Sequence, residues 1–295
     1  MATPPDNVPR FTEAAPAKIN LDLRVTGRRA DGYHLLDSLV VFADCGDRLD
    51  YYPGDGLAFE ITGPFAAGLE ADENNLVCRA IRSFATNAGV QVTGRFVLTK
   101  NLPVASGIGG GSADAAAALR LLTRLYPGAL GADHLNEVAL SLGADVPACL
   151  VSRSLRMQSV GEAITPVKLD FPLYILLANP GISVETARIF GDLKASGFSF
   201  SPERRLPREI ATPDQLLSIL QNSSNDLQRP ACQRVPEVAG LIDEIAGLSG
   251  CLYAAMSGSG ATCFGLFASL EEARSARENM SVDSKNYWLN AGTIL

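Results

Sequence analysis

The sequence predicts an α+β fold in two domains, and three observations carry that prediction. Apolar residues recur with strand and helix periods in mixed order, without the regular alternation of a βαβ array. The character of the chain changes around Pro166 to Asp170. The 295 residues, 47% hydrophobic and 19% charged, are enough for two ordinary cores. The domains are accordingly expected at 1–165 and 166–295.

After a Pro-rich start, Ala17 to Val25 alternates polar and apolar residues for nine positions. That is the period of a half-buried strand, with Lys18, Asn20 and Asp22 on one face. A turn at Gly27 to Gly32 leads to the apolar run Leu39 to Ala43, and further strands are expected at Leu57–Thr62 and Gly94–Thr99. Asn75 to Ala88 between them reads as a helix, and so does the Ala- and Leu-rich run Ala115 to Leu125. Asp133 to Leu142 is helical and stops at Gly143, a natural capping residue, which leaves Asp145 in a loop. Leu173 to Ala178 has the unbroken apolar character of a fully buried strand opening the second domain. Lys194 to Gln215, rich in Ser, Pro and charge, is predicted to be a mobile surface loop. Beyond it, helices at Leu216–Leu220, Pro236–Leu248 and Leu270–Glu278 alternate with strands at Tyr253–Met256 and Thr262–Ala268.

Composition excludes several classes. No apolar run approaches the ~20 residues that cross a bilayer, and Met1 to Arg10 lack the apolar core and cationic start of a secretory signal, so a cytoplasmic protein is expected. The net charge is −7, and Lys and Arg cluster only as the pairs Arg28-Arg29 and Arg204-Arg205, which argues against a nucleic-acid partner. An anionic ligand must then be held by local dipoles and a few cations. Cysteines 45, 78, 149, 232, 251 and 263 stand singly, mostly in apolar stretches, and read as buried free thiols. The two histidines, His34 and His134, lie far apart with no clustered cysteine, which argues against zinc and against serine or cysteine chemistry with a His base.

The strongest local signal is Leu102-Pro103-Val104-Ala105-Ser106-Gly107-Ile108-Gly109-Gly110-Gly111-Ser112-Ala113-Asp114, directly before a helix. Four glycines within five positions let backbone approach a ligand and turn N–H groups inward, and the positive end of the helix adds to the field. Together they form a cradle for a polyanion. No Lys follows the glycines and position 112 is Ser, so neither the Walker pattern nor the dinucleotide fingerprint is present. The other reading is a Gly-rich turn with Ser112 as an ordinary N-cap, but such a turn needs only one or two glycines. A second small-residue loop, Ala254 to Thr262, fits either a hairpin turn or part of the same site.

Four motifs occur in the order found in the GHMP kinases. They are Pro16-Ala17-Lys18-Ile19-Asn20-Leu21 with Asp31-Gly32-Tyr33-His34, the Pro103 to Asp114 loop, Gly143-Ala144-Asp145-Val146-Pro147, and Met256 to Phe264. From about Glu13 onward the chain resembles that superfamily. Asp-Gly-Tyr-His and the triple glycine resemble the branch that takes a cytidyl substrate on the methylerythritol phosphate route to isoprenoids. The resemblance implies a ribosomal-protein-like N-terminal domain and a ferredoxin-like C-terminal one, with the site between them. It implies ATP-dependent phosphorylation of a small alcohol, magnesium arriving with ATP, no membrane or nucleic-acid partner, and a monomer or weak homodimer. Residue by residue, it makes Asp145 the catalytic carboxylate, with Lys18 its partner, and gives ATP to Asn75 and the Pro103 to Ala113 loop. Tyr33, His34 and Phe190 would hold cytosine, with Asn20 and Thr186 nearby.

Phosphoryl transfer needs a group that orients the hydroxyl and accepts its proton, and cations that balance charge on the moving phosphoryl, which suits Asp145 and Lys18. From the residues alone, Lys18 could also be a solvated strand lysine, Asp145 a helix-end cap, Asn75 a helix-start cap, Phe190 a core residue and His34 a turn residue. The chain departs from the usual family pattern at Ala113, where a second Ser is common, and at Ser159, where Gly is common.

Overall fold

The structure is a computed structural model that describes residues 8–281 and 287–295, so most of the Pro-rich start lies outside the described residues. In chain order they form β1 (Phe11–Asn20), β2 (Arg24–Arg28), β3 (His34–Tyr52), β4 (Leu57–Thr62), α1 (Leu76–Ala88), β5 (Gly94–Thr99), α2 (Gly110–Leu125), α3 (Ala132–Leu142) and α4 (Val146–Val151). There follow β6 (Leu155–Ser159), β7 (Ala163–Pro166), β8 (Lys168–Leu169), β9 (Tyr174–Asn179), α5 (Thr186–Ala195), β10 (Glu209–Ile210) and α6 (Pro213–Gln221). The chain continues through α7 (Gln228–Arg234), α8 (Glu237–Gly247), β11 (Tyr253–Met256), β12 (Cys263–Phe267), α9 (Leu270–Glu278) and β13 (Trp288–Thr293). None of the helices among the described residues is long and apolar enough to cross a membrane.

Two compact units result. The first takes the chain up to Ala17, Gly46–Val104 and Gly109–Val151; the second takes Lys18–Cys45, Ala105–Ile108 and everything from Ser152. Neither is one continuous stretch, because β1 and β3 are long strands whose two halves belong to different units.

In the first unit β4 runs parallel to β5, and β5 pairs antiparallel with Arg48 to Tyr52 of β3. Helix α1 buries Val77, Ala80, Ile81 and Phe84, a 3-1-3 spacing that lines up on one face. Its start is capped by Asn75, whose side-chain oxygen accepts the Val77 N–H at 2.9 Å. Helix α2 is buried without a break from Ala113 to Leu119, and its small side chains let α1 and α4 pack closely on it. Arg120 carries polar ties from that helix, donating through Nη1 to the Cys149 carbonyl at 2.8 Å and lying 3.3 Å from Glu13 through Nε.

The second unit contains an antiparallel sheet in the order β11-β12-β9-β13, with α8 and α9 packed on it, the ferredoxin-like arrangement expected for this part. Strand β9 has buried residues on both faces from Ile175 on, which explains its unbroken apolar run. Leu176, Val238, Ile245 and Phe267 belong to the core beneath that sheet. The Ser269 and Glu272 side chains close a capping box at the start of α9. Elsewhere in this unit β2 and β6 pair with the first half of β3, and β7 pairs with β6. Residues 224–226 close over the first strands: Leu23 N–H donates to the Ser224 carbonyl at 3.1 Å, Asp226 N–H to the Leu23 carbonyl at 2.8 Å, and Val25 N–H to Asp226 Oδ2 at 2.7 Å.

Three expectations change. The strand foreseen at Ala17 to Val25 breaks between Asn20 and Arg24, and it is not half-buried, since Lys18, Asn20 and Asp22 are as buried as the apolar residues between them. Alternation reports which side a residue faces; it does not report whether water is there. Asp22 finds its partners indoors, accepting the Leu39 N–H at 2.7 Å and Arg204 Nη2 at 2.9 Å.

The loop expected at Lys194 to Gln215 holds in its middle, where residues 196–208 carry no helix or strand and are mostly exposed, while its ends belong to α5, β10 and α6. Arg204 anchors that stretch. Its guanidinium is buried against Asp22, its Nε lies 3.4 Å from Asp37, and Arg156 grips the same Asp37 at 2.9 and 2.7 Å. Ser201 N–H donates to the Val25 carbonyl at 2.8 Å, and β10 pairs with β8. Ser, Pro and charge mark the segment as lacking a core face, but buried ion pairs fasten it instead. All six cysteines are free, as expected, yet only Cys149 and Cys263 are fully buried.

Candidate active site

Helix α2 begins at Gly110, five residues earlier than the sequence indicated, so the last two glycines of the motif form its first turn. Its N-cap is Gly109, in the left-handed region at φ 66° with no side-chain cap, and Ser112 sits inside the first turn instead of capping it. The first-turn N–H groups of Gly110, Gly111 and Ser112 have no acceptor within the helix, and the dipole adds to their field. This arrangement fits the phosphates of a nucleotide. Gly111 is exposed and Ala113 is fully buried, so the side chain that replaces the usual Ser points into the core.

The preceding residues lock against the second small-residue loop. Gly107 has φ 78°, and a Cβ there would lie 2.6 Å from the Gly260 carbonyl oxygen and 2.7 Å from that of Ser257. A Cβ on Gly258 would reach the Gly107 oxygen at 2.6 Å. Thr262 N–H donates to the Ser106 carbonyl at 3.1 Å. The Ala254 to Thr262 loop is therefore a packing partner of the glycine loop, not a bare hairpin turn. Gly107→Ala is expected to lose at least the ~1–2 kcal/mol of a left-handed non-glycine residue, with backbone displacement added. Thermal unfolding reads this out, and an unchanged melting temperature would disprove the interlock.

Ser257 ties that interlock to the first strand. Its hydroxyl donates to the Gly107 carbonyl and accepts the Asn20 N–H, both at 3.1 Å. Lys18 N–H donates to the Ile108 carbonyl at 2.9 Å. The Asn20 side chain is oriented by Ser38, whose single hydroxyl proton goes to the Asp22 carbonyl at 2.5 Å, so it accepts from Asn20 Nδ2 at 2.7 Å. Asn20 Oδ1 is left buried without a partner, an acceptor ready for a ligand's donor.

Tyr33 stands on the turn between β2 and β3 with 64% of its surface exposed. His34 stacks on Phe190, with ring centroids 4.6 Å apart and planes 16° from parallel. Burial, and then the nearby Arg28 and Lys194, hold the His34 imidazole below its ordinary range, so it is neutral near pH 7. Thr186 shares a hydrogen bond with Ser259 at 2.8 Å. The structure thus brings His34 to Phe190, and both Asn20 and Thr186 to the serines of one loop.

Lys18 is buried in the second unit. Asp145, in the first, is half-buried at the start of α4, a short helix the sequence did not announce, and its carbonyl accepts the Cys149 N–H at 3.0 Å. Asn75 serves as the cap of α1. Pro103 and Ser106 are buried, whereas Val104 and Ala105 are exposed, Ala105 with a φ of 51°. Ser159, in place of the usual Gly, keeps a left-handed φ of 62°, and its hydroxyl donates to Glu162 Oε1 at 2.7 Å. Among the described residues no group of three or more His, Cys, Asp or Glu side chains could hold a metal.

Sequence reasoning missed Ser38, Asp47 and Lys100, and it singled out the segments holding Ser257 and Asp114 without giving either side chain a role. One signal was available: Asp114 is the single charge in the otherwise apolar stretch Ala113 to Leu119.

Residues 75–153 match the family described as the GHMP kinases N terminal domain, and residues 208–283 the GHMP kinases C terminal. A Parvibaculum lavamentivorans protein named 4-diphosphocytidyl-2-C-methyl-D-erythritol kinase is 49% identical over 279 residues, 94% of this chain and 96% of that one. One of the same name from Cereibacter sphaeroides is 48% identical over 284 residues, 95% of this chain and 98% of that one. A crystal structure of 4-(cytidine 5'-diphospho)-2C-methyl-D-erythritol kinase superposes with a TM-score of 0.76 at 32% identity, covering 96% of this chain and 99% of that one.

Proposed function

Since this chain belongs to the GHMP kinases, and within them to the 4-diphosphocytidyl-2-C-methyl-D-erythritol kinases, we propose that it transfers the terminal phosphoryl group of ATP to the 2-hydroxyl of that substrate. The reaction is a step of the non-mevalonate route to isoprenoid precursors. The observation that supports the site most directly is the Ser257 hydroxyl. It joins the carbonyl of Gly107, in the phosphate loop, to the N–H of Asn20, on the strand given to the alcohol.

The first-turn N–H groups of α2 bind the ATP phosphates, and Pro103 to Ala113 shape the loop around them, with Asn75 at the start of α1 close to the nucleotide. ATP brings the phosphoryl group, and magnesium arriving with it would offset the charge of the phosphates. Asp145 orients the substrate hydroxyl and accepts its proton. Lys18 balances charge on the moving phosphoryl group. Asn20 Oδ1 accepts a hydrogen bond from the substrate. The neutral His34 offers one donor and one acceptor to the edge of cytosine, and Tyr33 and Phe190 give it aromatic faces, with Thr186 at the border. The two family matches fall on either side of residue 165, which supports sequence domains at 1–165 and 166–295, although the compact units of the fold each take chain from both. We place the enzyme in the cytoplasm, as a monomer or weak homodimer acting on small molecules and not on nucleic acid.

An ADP-release assay tests this, with 4-diphosphocytidyl-2-C-methyl-D-erythritol offered beside mevalonate and homoserine. Only the cytidyl substrate should give turnover. In the same assay Tyr33→Ala should raise the Michaelis constant for that substrate, by the ~1–3 kcal/mol of a base stacked on an aromatic ring, and leave the one for ATP nearly unchanged. Equal shifts in both constants would remove Tyr33 from the cytosine site.

A further inference from the structure

The charges of Asp47, Lys100 and Asp114 take no part in that scheme, yet they lie directly behind the phosphate loop. Lys100 Nζ donates to Asp114 Oδ2 at 2.6 Å and to Asp47 Oδ2, and the three side chains are 5% exposed or less. Asp47 Oδ1 also accepts the N–H groups of Asn101 at 2.5 Å and Leu102 at 2.8 Å. The chain entering the loop and the helix leaving it are thus fastened to one ammonium group. A Cβ on Gly110, the first residue of α2, would lie 3.5 Å from Lys100 Nζ.

Two carboxylates facing one ammonium in a dry site leave a negative charge in excess unless one of them holds a proton. Asp47 accepts hydrogen bonds from Lys100 and from two backbone donors. Asp114 has a donor on Oδ2 alone, and its Oδ1 is buried without a partner.

We propose that Asp47, Lys100 and Asp114 are positioning residues for ATP, a buried cluster that holds both ends of the phosphate loop and admits a polyphosphate only while its net charge is zero. This rests on the assignment of the loop to ATP. Burial pushes the Asp114 carboxyl up, Lys100 pulls it down, Asp47 pushes it up again, and it settles at about 8. Burial lowers Lys100, but the two carboxylates outweigh that and leave it above its ordinary value, so it stays charged. The charged groups facing Asp114 are Lys100, after β5, and Asp47, from β3. The neighbouring helices turn Val77, Ala80, Ile81 and Phe84 of α1, Val138, Ala139 and Leu142 of α3, and Val146, Ala148 and the thiol of Cys149 of α4 toward their core.

As pH rises through the Asp114 value, its carboxyl loses the proton, the cluster goes from neutral to −1, and the phosphates are repelled. The test is ATP affinity by calorimetry, without the second substrate, from pH 7 to 9, with Asp114 variants measured in parallel to subtract any titration of the phosphates themselves. Wild type should weaken severalfold across that range, because one negative charge is added behind the loop. Asp114→Asn, which keeps the shape, and Asp114→Ser, which is neutral and smaller, should each give a nearly flat profile. A flat wild-type profile, or variants that weaken in parallel with it, would overturn the proposal while leaving the loop assigned to ATP. Folded wild type that binds no ATP at any pH would remove the loop assignment and this inference with it.

Discussion

Asp145→Asn should cut turnover by ~10²–10⁴-fold while the Michaelis constants for both substrates stay nearly unchanged. The substitution keeps size and most hydrogen bonding. It also leaves alone the backbone carbonyl that accepts the Cys149 N–H at the start of α4. What it removes is the negative charge and the proton acceptor. Lys18→Met should likewise depress turnover, and the double variant should lose much less than the product of the two single losses, because groups that act as a unit are non-additive. Steady-state kinetics on correctly folded protein measures all three. Near-normal turnover in Asp145→Asn would sink this mechanism and require another base.

The largest loss of stability is expected from Arg204→Met. Its guanidinium lies between two buried carboxylates, and removing one partner of a buried pair costs ~3–5 kcal/mol because charge is left uncompensated. Asp22 would keep the Leu39 N–H, and Asp37 would keep Arg156, so the fold should survive in weakened form. The loss should depend on pH in a definite sense. Burial pushes the Asp37 carboxyl up, but hydrogen bonding to Arg156 and the charge of Arg204 outweigh it, leaving its pKa below the ordinary carboxylate value. Such a group stabilises the folded state above its unfolded pKa, and that contribution fades as pH falls through its folded one. The gap between wild type and Arg204→Met in chemical denaturation should therefore be widest near neutral pH and narrow in acid. A gap independent of pH would show that Arg204 acts by packing alone.

Elements with local causes were legible in the sequence. Helix α1 announces itself by spacing and by the Asn75 cap, α3 by Gly143, and β4, β5 and β9 by their apolar patterns. The glycine loop was legible as a loop before a helix, but not its boundary, since Gly110 and Gly111 belong to the first turn of α2. What could not be read depends on partners distant in the chain. Nothing near Lys18, Asn20 or Asp22 says that distant residues will bury them: Ser257 meets Asn20 across 237 positions, and Arg204 meets Asp22 across 182. The cluster of Asp47, Lys100 and Asp114 is equally non-local, with 53 positions between its first two members. The cytosine residues were named by resemblance; the contact of His34 with Phe190 came only from the structure.

The closure of residues 224–226 over Leu23 and Val25 also bears on how the chain is made. A ribosome adding roughly 5–20 residues per second needs on the order of 10–40 seconds to travel from Val25 to Asp226, 201 positions later. During that time Asn20, Leu23 and Val25 have backbone donors and acceptors whose final partners do not yet exist. Contacts of such long sequence separation form late, after the cost of closing the loop has been met. Slowing translation upstream of residue 226 lengthens the interval in which the first strand can pair with the wrong neighbour.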